Sequence, residues 1–235
     1  MTSLEIRKRW TVVLPAMIVP FLMSWLYFVI LPGTAVGNGL YTLMKILLVV
    51  WPVLATRVVL GERMTLRLWE GKPSTRQVVL EGLALGFVIL VLMLGLMQTP
   101  LGEIVQDGAA RIRTRVEGMG VLDHFLAFAL FLSIVHSLIE EVYWRWFVYG
   151  NLRLLTRPWI SHLAAALAFS AHHIVVLSQF FPVGMAIFLG LCVGVGGALW
   201  SFLCSRHQSL LGAWISHMIV DLGIMTIGAR LMDLL

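Results

Sequence analysis

Residues 123–149 read DHFLAFALFLSIVHSLIEEVYWRWFVY. The stretch is apolar over most of its length, yet His136, Glu140, Glu141 and Arg145 lie inside it. At 1.5 Å per helical residue it is long enough to cross a hydrocarbon core of about 30 Å. A charged side chain at the centre of a bilayer costs about 2.5–3.5 kcal/mol on insertion scales, so a cluster of them there calls for a chemical reason.

The rest of the chain agrees that lipid is the solvent. Of 235 residues, 60% are hydrophobic and 12% charged, against roughly 45–50% and about 25% in an ordinary soluble domain. A soluble fold could not hide that much apolar surface, whereas a bilayer removes the need to. Six further apolar runs accompany the one quoted: 11–31, 38–60, 77–98, 161–177, 183–204 and 209–231. The expected fold is all-α, a polytopic transmembrane bundle of about seven helices. The first run is too long for a signal-peptide core and no small-residue cleavage site closes it, so it is expected to stay as a helix, kinked at Pro15 and Pro20.

The net charge of +5 does not point to nucleic acid. Arg7, Lys8 and Arg9, then Arg63, Arg67, Lys72 and Arg76, then Arg153, Arg157 and Arg206 fall in short segments between apolar runs. This is the pattern of cytoplasmic loops facing anionic headgroups. It makes 61–76, 150–160 and 205–208 inner loops. The outer segments are then 32–37, 99–122 and 178–182, with Arg111, Arg113 and Arg115 offset by Glu103, Asp107 and Glu117. An inside N-terminus and a multi-pass location, in the plasma membrane, are expected.

Smaller signals are structural. Cys192 and Cys204 are twelve helical residues apart, about 18 Å, too far for a disulfide. Gly82 with Gly86, and Gly190 with Gly194, have the GxxxG spacing that lets helices approach closely. Packing within the bundle is expected of them rather than dimerisation.

Three runs carry ionisable groups at similar depth. Counted from the inner ends, Glu140 lies about 15 Å in, His173 about 19 Å, His217 about 14 Å and Asp221 about 20 Å. Helical geometry then separates roles. Glu141 and Arg145 are four apart with the acid first, the favourable order for an ion pair. Glu140 lies about 100° round the helix, free to act as a general base. Phe169 and His173 share a face, with His172 rotated away, and His217 and Asp221 share another. His136, one turn before Glu140, suits a packing role as well as a catalytic one. No Gly-x-Ser-x-Gly turn makes a nucleophile of Ser133, Ser137 or Ser170.

In order, the motifs are E140-E141-V-Y-W-R145, F169-S-A-H-H173 and H217-M-I-V-D221. This series resembles the CPBP family, the CAAX protease and bacteriocin-processing intramembrane endopeptidases. The resemblance covers about half the chain, and implies a division into residues 1–121, N-terminal membrane helices and loops, and 122–235, a catalytic helix core, in one integral membrane unit. It implies a glutamate-based hydrolase acting on membrane-associated protein or peptide substrates, with Glu140 and His173 activating water. By the same resemblance His217 and Asp221 would stabilise the oxyanion, with Glu141 and Arg145 supporting. The prenyl-protein branch carries Asn where this chain has Asp221. An ionised Asp only accepts hydrogen bonds, so Asp221 is protonated, or orients His217, or binds a metal.

No cofactor is expected on the glutamate reading. The alternatives are a zinc protease with Glu140, His173, His217 and Asp221 as ligands, and a non-enzymatic transporter or immunity-type protein that uses the same polar pocket.

Overall fold

The computed structural model describes residues 1–64 and 74–235. Arg67 and Lys72, assigned to an inner loop by charge pattern, lie outside the described residues. Among the described residues the chain forms nine helical elements: α1 (Ser3–Ile30), α2 (Ala35–Val59), α3 (Thr75–Leu96), α4 (Pro100–Asp107), α5 (Ala109–Gly118), α6 (Leu122–Leu155), α7 (Pro158–Leu177), α8 (Val183–His207) and α9 (Leu211–Leu231). All but α4 and α5 are long and apolar enough to cross a membrane. Their outward faces carry Phe87, Val91, Leu92, Leu126, Val183 and Val195, all well exposed, as suits a bundle whose solvent is hydrocarbon. The protein is a multi-pass, all-α membrane bundle.

The ends of the helices differ from the apolar runs for physical reasons. α1 starts at Ser3 rather than residue 11 because Thr2 and Glu5 form a capping box, which satisfies the free N–H groups ahead of the basic residues. α6 continues to Leu155 and stops just before Pro158, which begins α7 at its first helical position. The segment 99–122, read as a loop, holds two short helices. Thr99 caps α4, with Pro100 at its first turn.

Polar contacts sort these ends into two groups. On one side Arg9 pairs with Glu62 and donates to Asn151 at 2.7 Å, Arg153 donates to Gln208, and Arg206 and His207 both meet Glu81. On the other, Arg111 donates to the Phe180 carbonyl, Arg113 to that of Met232, and Arg115 to the Tyr27 hydroxyl. The two groups match the inner and outer sets of the charge pattern.

Close approach between helices uses the glycines. A Cβ on Gly82 would stand 2.5 Å from the Gly212 carbonyl oxygen, and one on Gly86 3.1 Å from Ser216 Cα. These two positions therefore seat α3 against α9. Gly190 and Gly194 do the same for α8 against Ile174 and Ser170 of α7.

α1 continues as helix through Pro15 and Pro20. Pro20 has no N–H to give Ala16, four residues back. The Tyr143 hydroxyl of α6 donates to that carbonyl at 2.8 Å instead. The proline thus creates an acceptor that pins α6, and with it the glutamates two and three residues earlier.

Candidate active site

Within α6 the hydrogen bonding widens from α to π in two places. Residues Phe131–His136 and Val142–Tyr149 are π-helical, and only the turn Ser137–Glu141 between them is α-helical. Wider turns of this kind recur at functional sites, where they re-aim side chains. Here they flank the turn that carries Glu140 and Glu141, both buried.

Glu141 is buried completely and links two helices. Its Oε1 accepts from Nδ1 of His217 on α9 at 2.8 Å, and its Oε2 faces Arg145 Nε at 3.3 Å. The Arg145 guanidinium lies over two rings that meet at an angle, 4.4 Å from the centroid of Phe169 and 4.9 Å from that of Trp200. Aromatic faces attract such a cation and exclude water from it. A Cβ on Gly197 would meet both Phe169 and Arg145, so α8 leaves room for this stack.

Glu140 points elsewhere, as its position round the helix requires. Its Oε1 is 3.4 Å from His136 Nε2 and 3.9 Å from His172 Nε2, and its Oε2 is 3.7 Å from His217 Nε2. Ligand atoms of Glu140, His172 and His173 all lie within 4.8 Å of one another. The structure therefore brings His172 into the group, against the expectation that it turns away. Adjacent histidines are about 100° apart on a helix, but Glu140 sits opposite the edge between them. Trp144 holds the His172 ring by parallel stacking, with centroids 5.4 Å apart and planes 5° apart.

Partners fix two of the imidazoles. His173 Nδ1 is 2.8 Å from the Phe169 carbonyl oxygen, which can only accept, so Nδ1 carries the hydrogen and the other nitrogen keeps its lone pair. This gives the four-residue spacing of Phe169 and His173 a physical role. For His217, the Glu141 carboxylate takes the Nδ1–H bond in the same way. Its Nε2 faces Glu140 and also Asp221 Oδ1, at 3.6 Å. Trp200 stacks on the His217 ring at 4.1 Å and is itself held by a 2.9 Å bond to Ser216 Oγ.

Residues 122–223 match the family model described as type II CAAX prenyl endopeptidase, Rce1-like. The segment is thus similar to the CAAX protease family. It begins with α6, ends within α9, and contains every residue of the three motifs. No curated protein and no solved structure matches the chain.

One residue of the cluster lies outside the CAAX-family segment. Lys45 of α2 places its Nζ 3.4 Å from His136 Nε2 and 5.2 Å from the centre of the Tyr41 ring. The sequence does hold a signal for it, a lysine inside an apolar run. It lacks an acid or a histidine three or four residues away, so motif spacing passes over it. The same contact gives His136 its place, joining Lys45 to Glu140.

Proposed function

We propose that this chain is an intramembrane endopeptidase in which water held between Glu140 and His173 attacks a peptide bond of a membrane-associated substrate. The observation that carries the reading is the spacing of Glu140 from the imidazoles. Two groups that share one water at normal hydrogen-bond length lie about 4.5 Å apart, and Glu140 and His173 fall within 4.8 Å. Both can accept from that water, Glu140 through its carboxylate and His173 through the lone pair left on Nε2 once Nδ1–H is given to Phe169. They draw a proton from the water as its oxygen bonds to the carbonyl carbon. As the tetrahedral intermediate collapses, the C–N bond breaks and the amine leaves with a proton returned by the same groups. His217, oriented through Glu141, donates to the oxyanion from Nε2 when protonated, and Asp221 borders that position.

In this reading residues 122–235 form the catalytic core and 1–121 close it from the other side. The N-terminus and basic loops face the cytoplasm, and the membrane is the plasma membrane. Support for the orientation is the basic inner group of contacts.

A second reading rests on the donor types. Glu140, His172 and His173 are ligands that zinc accepts, and a metal there would activate water and polarise the carbonyl. This set differs from the one expected from sequence, with His172 in place of His217 and Asp221.

The test of function is a comparison of membrane proteomes from cells carrying the wild-type chain or Glu140→Gln. Membrane-anchored proteins or peptides should accumulate uncut in the variant, and purified wild type in proteoliposomes should cut them. Identical terminal-peptide profiles in the two strains would overturn the proposal.

A further inference from the structure

Lys45 sits ten residues into α2, about 15 Å from the start of the helix. It is too deep for its four-carbon stem to carry the ammonium to the headgroups. No carboxylate among the described residues is within ion-pair distance of it. Its neighbours are an imidazole and the face of Tyr41, and a ring face offsets only part of the cost of an ammonium at this depth. The side chain is partly exposed, so a ligand can reach it. A cation kept at mid-depth, accessible and without an anion of its own, beside a hydrolytic carboxylate, is built to receive an anion.

We propose that Lys45, with His136 beside it, is a subsite that takes up a carboxylate of the substrate close to the bond to be cut. The inference rests on the endopeptidase reading for its substrate, but on Lys45 and His136 alone for its anion. Distances set how close the carboxylate must be. The ammonium is 3.4 Å from His136 Nε2, and that nitrogen is 3.4 Å from Glu140 Oε1, so Lys45 and the base are no more than about 7 Å apart. An extended chain advances about 3.3–3.6 Å per residue. The bound carboxylate therefore lies within about two residues of the scissile bond. It comes either from the end of a peptide or from an Asp or Glu side chain. In the free protein His136 Nε2 accepts from the ammonium, and the bound carboxylate takes over that hydrogen bond.

Binding tests this without turnover. Full-length Glu140→Gln protein in detergent would be titrated with three N-palmitoyl tetrapeptide pools, randomised over apolar residues. The first ends in a free carboxylate, the second in a carboxamide, and the third in a carboxamide with Glu at the penultimate position. A charge-assisted contact should give the first or third pool about tenfold tighter binding than the second. Whichever of the two gains identifies the source of the carboxylate. Adding Lys45→Met should abolish the preference, and adding Lys45→Arg should retain it. Lys45→Gln serves in place of Met if the latter elutes as aggregate on size exclusion. Equal affinity for all three pools, or a preference that survives loss of the charge, overturns the subsite. Wild-type protein that binds the acidic pool selectively yet cuts no pool would count against the endopeptidase reading and leave the subsite standing.

Discussion

The Nδ1–H of His217 donates to Oε1 of Glu141 at 2.8 Å, across the contact between α9 and α6. The second glutamate of the motif is thus more than the partner of Arg145. One oxygen sets the imidazole and the other faces the guanidinium, so a single buried carboxylate fixes both the tautomer at the site and the cation behind it.

This double duty sets the expected behaviour of Glu141→Gln. The amide removes the charge opposite Arg145, whose side chain stays buried against two rings. Breaking a buried ion pair from one side typically costs about 3–5 kcal/mol. A marked fall in the thermal unfolding midpoint in detergent should accompany loss of cleavage, and an unchanged midpoint would contradict the assignment.

Glu140→Gln and His173→Ala should separate function from folding. Loss of a general base typically costs about 10²–10⁴ in rate, and neither side chain holds helices together as Glu141 does. Cleavage of a substrate found by proteomics should fall by that factor, while size-exclusion profile and unfolding midpoint stay near wild type. Full activity in Glu140→Gln would remove it as the base.

Helix packing offers a test independent of chemistry. At Gly82 an added Cβ meets the backbone oxygen of Gly212 at 2.5 Å, whereas at Gly95 it meets nothing within 4 Å. Gly82→Ala should therefore lower the unfolding midpoint by forcing α3 from α9, and Gly95→Ala should not. Equal effects would mean that the α3–α9 seat is not close-packed.

Sidedness follows from the two groups of end contacts. In a background lacking Cys192 and Cys204, single cysteines at Ser74 and Gln106, both exposed, should react with an impermeant thiol reagent from opposite faces of the membrane. Labelling of both from one face would sink the alternation of loops and the depths counted from it.

Apolar runs long enough to cross a bilayer made the helices legible, because lipid tolerates little else. The four-residue pairs made Glu141 with Arg145, Phe169 with His173, and His217 with Asp221 legible as shared faces. Less legible was anything that depended on the angle between successive residues in α6. Two π-helical stretches, Phe131–His136 and Val142–Tyr149, change that angle, and sequence spacing assumes 3.6 residues per turn. Contacts between distant runs were not legible at all. His172 joins the cluster because Trp144 stacks on it, and Lys45 joins because α2 happens to pass His136.

The chemistry of the site turns on Asp221 and His172 together. In the metal-free reading Asp221 borders the oxyanion position and His217, 3.6 Å away, so Asp221→Asn should preserve or raise activity, since an amide always has an N–H to donate. His172, stacked on Trp144, serves there as a wall, and His172→Gln should retain a good part of the rate. In the zinc reading His172 is a ligand, so His172→Gln should abolish activity and metal content alike. Asp221→Asn then acts only through its neighbours. Treatment with 1,10-phenanthroline adds an arm that needs no mutation, with metal measured in the purified protein before and after. Rates for both variants, with and without chelator, discriminate cleanly. Active His172→Gln protein unaffected by chelator supports water activation by Glu140 and His173. Chelator-sensitive wild type restored by zinc, together with inactive, metal-free His172→Gln, replaces that mechanism with a metal-dependent one on the same helices.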